Sequence, residues 1–186
     1  MKKINIFILI AFLVLLDQGI KLYIKYNLFT VNFYIIGEIV QFIPKLNEKY
    51  SWINSLFDLG IDRTIHILIV LIITILLCIG YRFLRTVYTL QKLIYLSILI
   101  AISGSICSLI DKVFWGGSLD YISIRGFFIF DLKDIYITIF EIICICSLIF
   151  NDRDYKSIST KKIYYDFKQY IKSGTENIRK SKDKSL

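Results

Sequence analysis

Four long runs of apolar residues constrain the fold of this 186-residue chain more than any other feature of its sequence. The runs cover about residues 4–24, 64–81, 93–115 and 134–150. Each approaches the roughly 20 residues that a helix needs to cross the hydrocarbon core of a bilayer. Because 56% of the residues are hydrophobic, a soluble core of this size could not bury them all. The pattern predicts an all-α polytopic membrane protein with four transmembrane helices.

The distribution of positive charge predicts the orientation of these helices. Positive residues without acidic neighbours lie at the start of the chain and between the second and third runs, at Lys2, Lys3, Arg82, Arg85 and Lys92. By the positive-inside rule, both termini and the middle connection are cytoplasmic, with the protein in the inner (cytoplasmic) cell membrane. The connections at about 25–63 and 116–133 then face outward. The first is rich in aromatic residues and is expected to form strands or an interfacial helix.

The formal net charge of +8 does not indicate a nucleic-acid partner. The basic residues flank apolar segments, where they orient the spans and contact anionic lipid, so we expect membrane lipid and no nucleic acid as a partner. Residues 1–150 are predicted to form one membrane domain, and residues 151–186 a basic cytoplasmic tail, partly helical and lying along the membrane surface. A solvated tail that only helps to set topology remains an alternative. We expect the protein to be a monomer.

Four aspartates fall near one level of the predicted bundle. Asp17 lies in the outward-running first helix and Asp111 near the outer end of the third. Asp120 lies in the outer loop, and Asp134 opens the inward-running fourth helix. A carboxylate within a membrane is costly, so several at one depth indicate that they are used or paired. Asp17 and Lys21 are four residues apart and can form an ion pair on one helical face.

Carboxyl groups gathered at one site bring a hydrolytic reaction within reach. Two that lie a few ångströms apart share one proton, which leaves a base to activate water and an acid to assist the leaving amine. Other chemistries find little support, because the chain has a single histidine, no Gly-x-Ser-x-Gly and no phosphate-binding glycine loop. The four cysteines lie inside apolar runs without metal-type spacing and are predicted to be packing residues. We expect no cofactor and no metal.

The aspartates belong to four short motifs. Residues 17–21 read Asp-Gln-Gly-Ile-Lys, residues 103–112 Ser-Gly-Ser-Ile-Cys-Ser-Leu-Ile-Asp-Lys, residues 118–121 Ser-Leu-Asp-Tyr, and residues 130–134 Phe-Asp-Leu-Lys-Asp. They resemble Asp-x-x-Ser/Thr-Lys, Gly-Gly-Ala-x-Gly-Asn-x-x-Asp-Arg, Val-Val-Asp-Phe and Phe-Asn-x-Ala-Asp of the prolipoprotein signal peptidases (signal peptidase II), an intramembrane aspartyl protease family. The resemblance covers roughly residues 1–150, with Asn47 at the position of the family's outer-segment asparagine.

The resemblance implies a catalytic dyad of Asp120 and Asp134 on the extracytoplasmic side. The dyad would remove the signal peptide from prolipoproteins by cleaving before the diacylglyceryl-modified cysteine, so diacylglyceryl-modified prolipoproteins are the implied partners. Seven further residues would shape the pocket and its polar network: Asp17, Lys21, Asn47, Ser108, Asp111, Lys112 and Asp131.

The chain also departs from the family motifs. Lys112 replaces an arginine and loses the bidentate fork of its guanidinium group. Asp131 replaces an asparagine and adds a carboxylate that would raise the pKa values of the dyad, while Lys133 replaces an alanine and opposes that shift if it points inward. These departures leave open a non-cleaving paralogue that binds lipidated proteins or lipids. A four-helix scaffold or transporter-like protein without this chemistry is a third alternative.

Overall fold

The computed structural model describes the backbone of residues 3–88, 90–150 and 160–183. Its helices are α1 (Lys3–Tyr23), α2 (Trp52–Phe57), α3 (Arg63–Val87), α4 (Lys92–Ile110), α5 (Leu132–Phe150) and α6 (Thr160–Asp183). Its strands are β1 (Phe33–Ile36), β2 (Val40–Asn47), β3 (Ser118–Ile124) and β4 (Ile129–Phe130). Short π-helical turns extend α1 over Ile24–Leu28 and α4 over Asp111–Trp115.

Among the residues that the structure describes, three helical segments are long and apolar enough to cross a membrane. They are Asn5–Leu28, Arg63–Val87 and Lys92–Trp115, which correspond to the first three predicted spans. The second is longer than predicted because the helix continues through Arg82 and Arg85. The fourth predicted span corresponds to α5, whose sequence includes Lys133, Asp134 and Glu141. The four-span count therefore stays a prediction.

The two outer connections form a single antiparallel sheet with the strand order β1-β2-β3-β4. The sequence predicted a strand-containing segment in the first connection of a mostly helical fold, and strands β3 and β4 show that the second connection joins it. Within β3, Leu119 and Tyr121 are buried in one apolar cluster with Ile24 and Phe42. Burial of this apolar surface between the sheet and the end of α1 stabilises the sheet. We call the end of the helical bundle that carries it the sheet end.

Helix α4 lies at the centre of the bundle. Over an 18-residue apolar stretch of its candidate span 61% of the residues are buried, compared with 11% for such a stretch of the first span and 6% for that of the second, and it packs against α1, α3 and α5. Gly104 allows α5 to approach closely, since a Cβ atom there would lie 3.2 Å from the backbone oxygen of Lys133. This close packing of small residues is typical of helices in membranes. It brings the first turn of α5 against α4.

Candidate active site

Charged side chains from four elements meet at the sheet end of the bundle. Their acidic members are Asp17 of α1, Asp111 of the π-helical turn after α4, Asp120 of β3, Asp131 before α5 and Asp134 of α5. We call these five residues the carboxylate cluster. Three of them, Asp17, Asp111 and Asp131, are 0% exposed. Charges buried this deeply require close partners, which two lysines supply.

Lys21 is the first of these partners. Its Nζ atom lies 2.9 Å from a carboxylate oxygen of Asp17, 2.6 Å from one of Asp111 and 2.7 Å from one of Asp131. The ion pair between Asp17 and Lys21 that their spacing indicates is therefore present. The same ammonium also links α1 to the end of α4 and the start of α5, so it fixes the relative positions of three helices.

Lys133 is the second partner, and its side chain points inward with 5% exposure. Its Nζ atom forms an ion pair with Asp131 and lies 2.5 Å from the Ser118 Oγ atom. It is 3.8 Å from the nearest oxygen of Asp120 and 3.8 Å from that of Asp134. Sequence reasoning noted Lys133 as a departure from the family but did not include it among the site residues. The signal was a lysine set between two aspartates at the start of an apolar helix.

The first turn of α5 holds Asp134 in place. The backbone N–H of Asp134 donates to Asp131 Oδ1 at 3.2 Å, and the backbone N–H of Asp131 donates to Asp134 Oδ2 at 3.2 Å. This reciprocal arrangement is the capping box that often begins a helix, here built from two aspartates. The side chain of Asp134 is 42% exposed, so the cluster opens to its surroundings on this side.

Asp120 is fixed by the pairing of β2 with β3. The Ser118 hydroxyl donates to Asp120 Oδ1 at 2.7 Å, and Asn47 Nδ2 donates to Asp120 Oδ2 at 3.3 Å. Asn47 is brought there because it pairs with Ser118 in the sheet. The strands approach closely at Gly117, where a Cβ atom would lie 2.8 Å from the backbone oxygen of Asn47. The register of the sheet therefore sets the position of the Asp120 carboxyl group.

Burial and the nearby lysines act in opposite directions on the two carboxyl groups outside the helices. Burial raises the pKa of Asp120, although the charge of Lys133 partly offsets this. Burial would also raise the pKa of Asp131, but Lys133 and Lys21 outweigh it and hold that pKa well below its usual range. Asp131 is therefore ionised, and Asp120 takes up a proton more readily than an exposed aspartate.

One oxygen atom from each of Asp120, Asp131 and Asp134 lies within 4.8 Å of the others. A single water molecule can hydrogen-bond to two carboxyl groups at that separation. Three carboxylate oxygens could also bind a cation, but here the Lys133 ammonium is the positive charge that faces all three. The arrangement can hold a water molecule between Asp120 and Asp134 and pass protons to and from it.

Two of the predicted site residues lie beside the carboxylate cluster. Lys112 Nζ donates to Ser108 Oγ at 2.8 Å, and within the described residues no carboxylate oxygen lies within ion-pairing distance of this ammonium.

Gln18 is a site residue that the sequence reasoning missed. Its Nε2 atom donates to both Asp17 and Asp111 at 3.0 Å. Its place inside the Asp-x-x-x-Lys motif was the available signal.

Comparison with known proteins gives a family and a fold. Residues 9–150 match the family model described as signal peptidase (SPase) II. A bacterial membrane enzyme solved by the in meso method at 2.3 Å resolution is 21% identical, with a TM-score of 0.64, and the alignment covers 84% of this chain and 94% of that enzyme's chain. Another, solved at 1.9 Å, is 23% identical with a TM-score of 0.64, covering 78% and 93%. Both share the fold. No curated protein matches the sequence.

Proposed function

The chain belongs to the signal peptidase II family, and on that premise we propose that it is an aspartic endopeptidase of lipid-modified prolipoproteins. It removes the signal peptide by cleaving immediately before the diacylglyceryl-modified cysteine. The observation that carries this proposal is the meeting of Asp120 and Asp134, whose nearest oxygens lie within 4.8 Å. A family of proteases and a pair of adjoining carboxyl groups together support peptide hydrolysis by the aspartyl mechanism.

In this mechanism the two aspartates exchange roles around one water molecule. One carboxylate removes a proton from the water as its oxygen attacks the scissile carbonyl carbon. The other carboxyl group donates its proton to the amide nitrogen as the carbon–nitrogen bond breaks. The partial exposure of Asp134 gives the substrate access, and the hydrogen bonds from Ser118 and Asn47 keep Asp120 in position.

The position of the dyad along the helices supports an extracytoplasmic active site. The carboxylate cluster lies at the sheet end, whereas Arg82, Arg85 and Lys92 lie at the opposite ends of α3 and α4. Because positive residues stay on the cytoplasmic side, the sheet end faces outward and both chain termini face the cytoplasm. A cleavage site next to a lipid-modified cysteine lies at the membrane surface, which is the level of this cluster.

The remaining predicted residues act by positioning in this proposal. Lys21 joins Asp17, Asp111 and Asp131 and so fixes the start of α5, from which Asp134 projects. One copy of the chain contains both members of the dyad, which supports activity as a monomer.

Cleavage of a lipidated prolipoprotein by the purified full-length protein tests the proposal. Mass spectrometry is expected to detect the released signal peptide and a mature protein that begins with the lipidated cysteine. The same precursor without its diacylglyceryl group is the matched control and is expected to stay intact. Thermal stabilisation by the lipidated precursor without any product would contradict the proposal and indicate a binding protein.

A further inference from the structure

Helix α6 follows the residues that match the family model, and it packs against α3 at the end remote from the sheet. The ring centres of Phe167 and Tyr170 lie 5.2 Å and 5.6 Å from that of Phe83. The hydroxyl of Tyr88 donates to Asp166 at 2.7 Å. Phe83 lies in the last turns of a candidate span, so these contacts hold α6 at the level where that span leaves the membrane.

This docking covers only one edge of the apolar face of α6. Tyr164 is 69% exposed and Ile171 is 45% exposed. They are seven residues apart, which places them on the same side of the helix two turns from each other. Phe167 lies between them, three residues from one and four from the other, and connects this open edge to the edge that contacts Phe83.

Three exposed lysines border the open edge. Lys161 is three residues before Tyr164, and Lys168 is four residues after it and three before Ile171. Lys172 is four residues after Lys168 and continues the same row. Side chains three and four residues apart are neighbours on a helix surface. The open edge is therefore an apolar strip with a row of positive charge along it, the pattern of helices that lie in a membrane interface.

We infer that this edge of α6 binds the anionic phospholipid headgroups of the bilayer, with the lysines on the headgroups and Tyr164 and Ile171 inserted among the lipids. Two observations favour a bilayer as the occupant. The charge of the lysine row is complementary to anionic headgroups, and the contacts with Phe83 hold the strip where a candidate span ends. The inference does not depend on peptidase activity.

Nitroxide labels on the full-length protein test this binding directly. The accessible native cysteines are first replaced by alanine, and labels are attached after Tyr164→Cys, Ile171→Cys or Lys162→Cys. Lys162 is exposed and lies about 160–180° around the helix from Tyr164 and Ile171, so it is the matched control. Each labelled protein is reconstituted in nanodiscs of phosphatidylcholine alone or with phosphatidylglycerol. Collisions of the label with oxygen report the lipid phase, and collisions with a water-soluble nickel complex report water.

With phosphatidylglycerol, we expect the labels at positions 164 and 171 to collide mainly with oxygen and the label at 162 mainly with nickel. A juxtamembrane lysine contributes about fivefold to binding. The triple change Lys161→Gln, Lys168→Gln and Lys172→Gln is therefore expected to lower the ratio of inserted to detached α6 about a hundredfold. Lys168→Gln alone is expected to lower it about fivefold and Lys162→Gln, on the other side of the helix, much less.

Three results would overturn the inference. Labels 164 and 171 in water in both lipid compositions would exclude a bilayer and leave a protein as the partner of this edge. Equal insertion without phosphatidylglycerol, or insertion that the triple change does not affect, would exclude recognition of anionic headgroups. Backbone hydrogen exchange of α6 in the triple variant shows whether the helix itself persists. The single change Lys168→Gln tests the effect of lysine on insertion with a smaller perturbation of the helix.

Discussion

Replacing Lys133 by methionine removes a buried ammonium group while keeping most of the length of the side chain. That group is ion-paired with Asp131, lies 2.5 Å from Ser118 Oγ and lies 3.3 Å from Asp111. Without it, Lys21 is the one ammonium left in ion-pairing contact with the carboxylate cluster in the described part of the chain. We therefore expect repulsion among the carboxylates to destabilise the folded state.

The expected size of the effect follows from the contacts. Removing one partner of a buried ion pair costs about 3–5 kcal/mol. Asp131 keeps Lys21 at 2.7 Å, so we expect the lower end, about 3 kcal/mol of unfolding free energy. Asp131→Asn alone is expected to lose about 2 kcal/mol because Lys133 loses its nearest partner. The double variant removes one charge of each sign and is expected to lose only about 2 kcal/mol, whereas the two single losses add to about 5 kcal/mol. The difference is a coupling energy of about 3 kcal/mol, at the upper end of the range of about 0.5–3 kcal/mol for residues in contact.

Denaturant unfolding in detergent micelles, followed by circular dichroism, measures the unfolding free energies of the wild type, the two single variants and the double variant. In reversible thermal unfolding, a loss of about 3 kcal/mol corresponds to a midpoint about 6–12 °C lower for a chain of this size. Lys45→Met, at an exposed position on β2, is the control and is expected to stay within about 0.5 kcal/mol of the wild type. If the losses of the two single variants add within about 0.5 kcal/mol, the two residues do not compensate each other and the reasoning is refuted.

Other changes near the dyad have different expected outcomes. In Gly117→Ala the new Cβ lies 2.8 Å from the backbone oxygen of Asn47, so we expect the strands to separate and cleavage to slow at least about tenfold. The control is Gly19→Ala, whose new Cβ meets nothing within 4 Å and which is expected to keep its activity. Ser118→Ala removes a hydroxyl that contacts three carboxylates and is expected to cost about 1–3 kcal/mol of unfolding free energy. We also expect it to lower kcat more than it raises KM. An unchanged kcat would argue against a positioning role for Ser118. The depressed pKa of Asp131 means that its ionised form contributes stability that is present above its unfolded pKa of about 4 and is lost as pH falls through the lower folded-state pKa. Denaturation at successive pH values is expected to show the advantage of the wild type over Asp131→Asn shrinking below about pH 4, and a constant difference would contradict this assignment.

The three candidate membrane spans among the described residues could be predicted from the sequence because their signal is strong and local. Runs of apolar residues of the required length determine a span with little help from the rest of the chain. The ion pair of Asp17 with Lys21 was predictable for the same reason, since a spacing of four residues places both side chains on one helical face. The family motifs then identified the residues that the structure brings together at the sheet end.

The sheet and the inner arrangement of the site depend on contacts between distant parts of the chain. Residues 118–124 form a strand because β2 is available to pair with them and because the end of α1 buries Leu119. Tyr121, Ile122 and Ile124 favour a strand, but in so short a segment that includes Asp120 this preference depends on a partner strand. In the same way, the sequence left the direction of the Lys133 side chain open, since that direction depends on carboxylates supplied by α4 and β3.

Cleavage kinetics of two single variants test the central claim most directly. Asp120→Asn and Asp134→Asn each keep the size of the side chain and remove the ability of that group to exchange a proton. With lipidated prolipoprotein as substrate, we expect each to lower kcat/KM at least about a thousandfold, while Asp62→Asn, which keeps a side chain able to cap α3, cleaves like the wild type. Wild-type cleavage by either dyad variant would contradict the assignment of Asp120 and Asp134 as the catalytic pair.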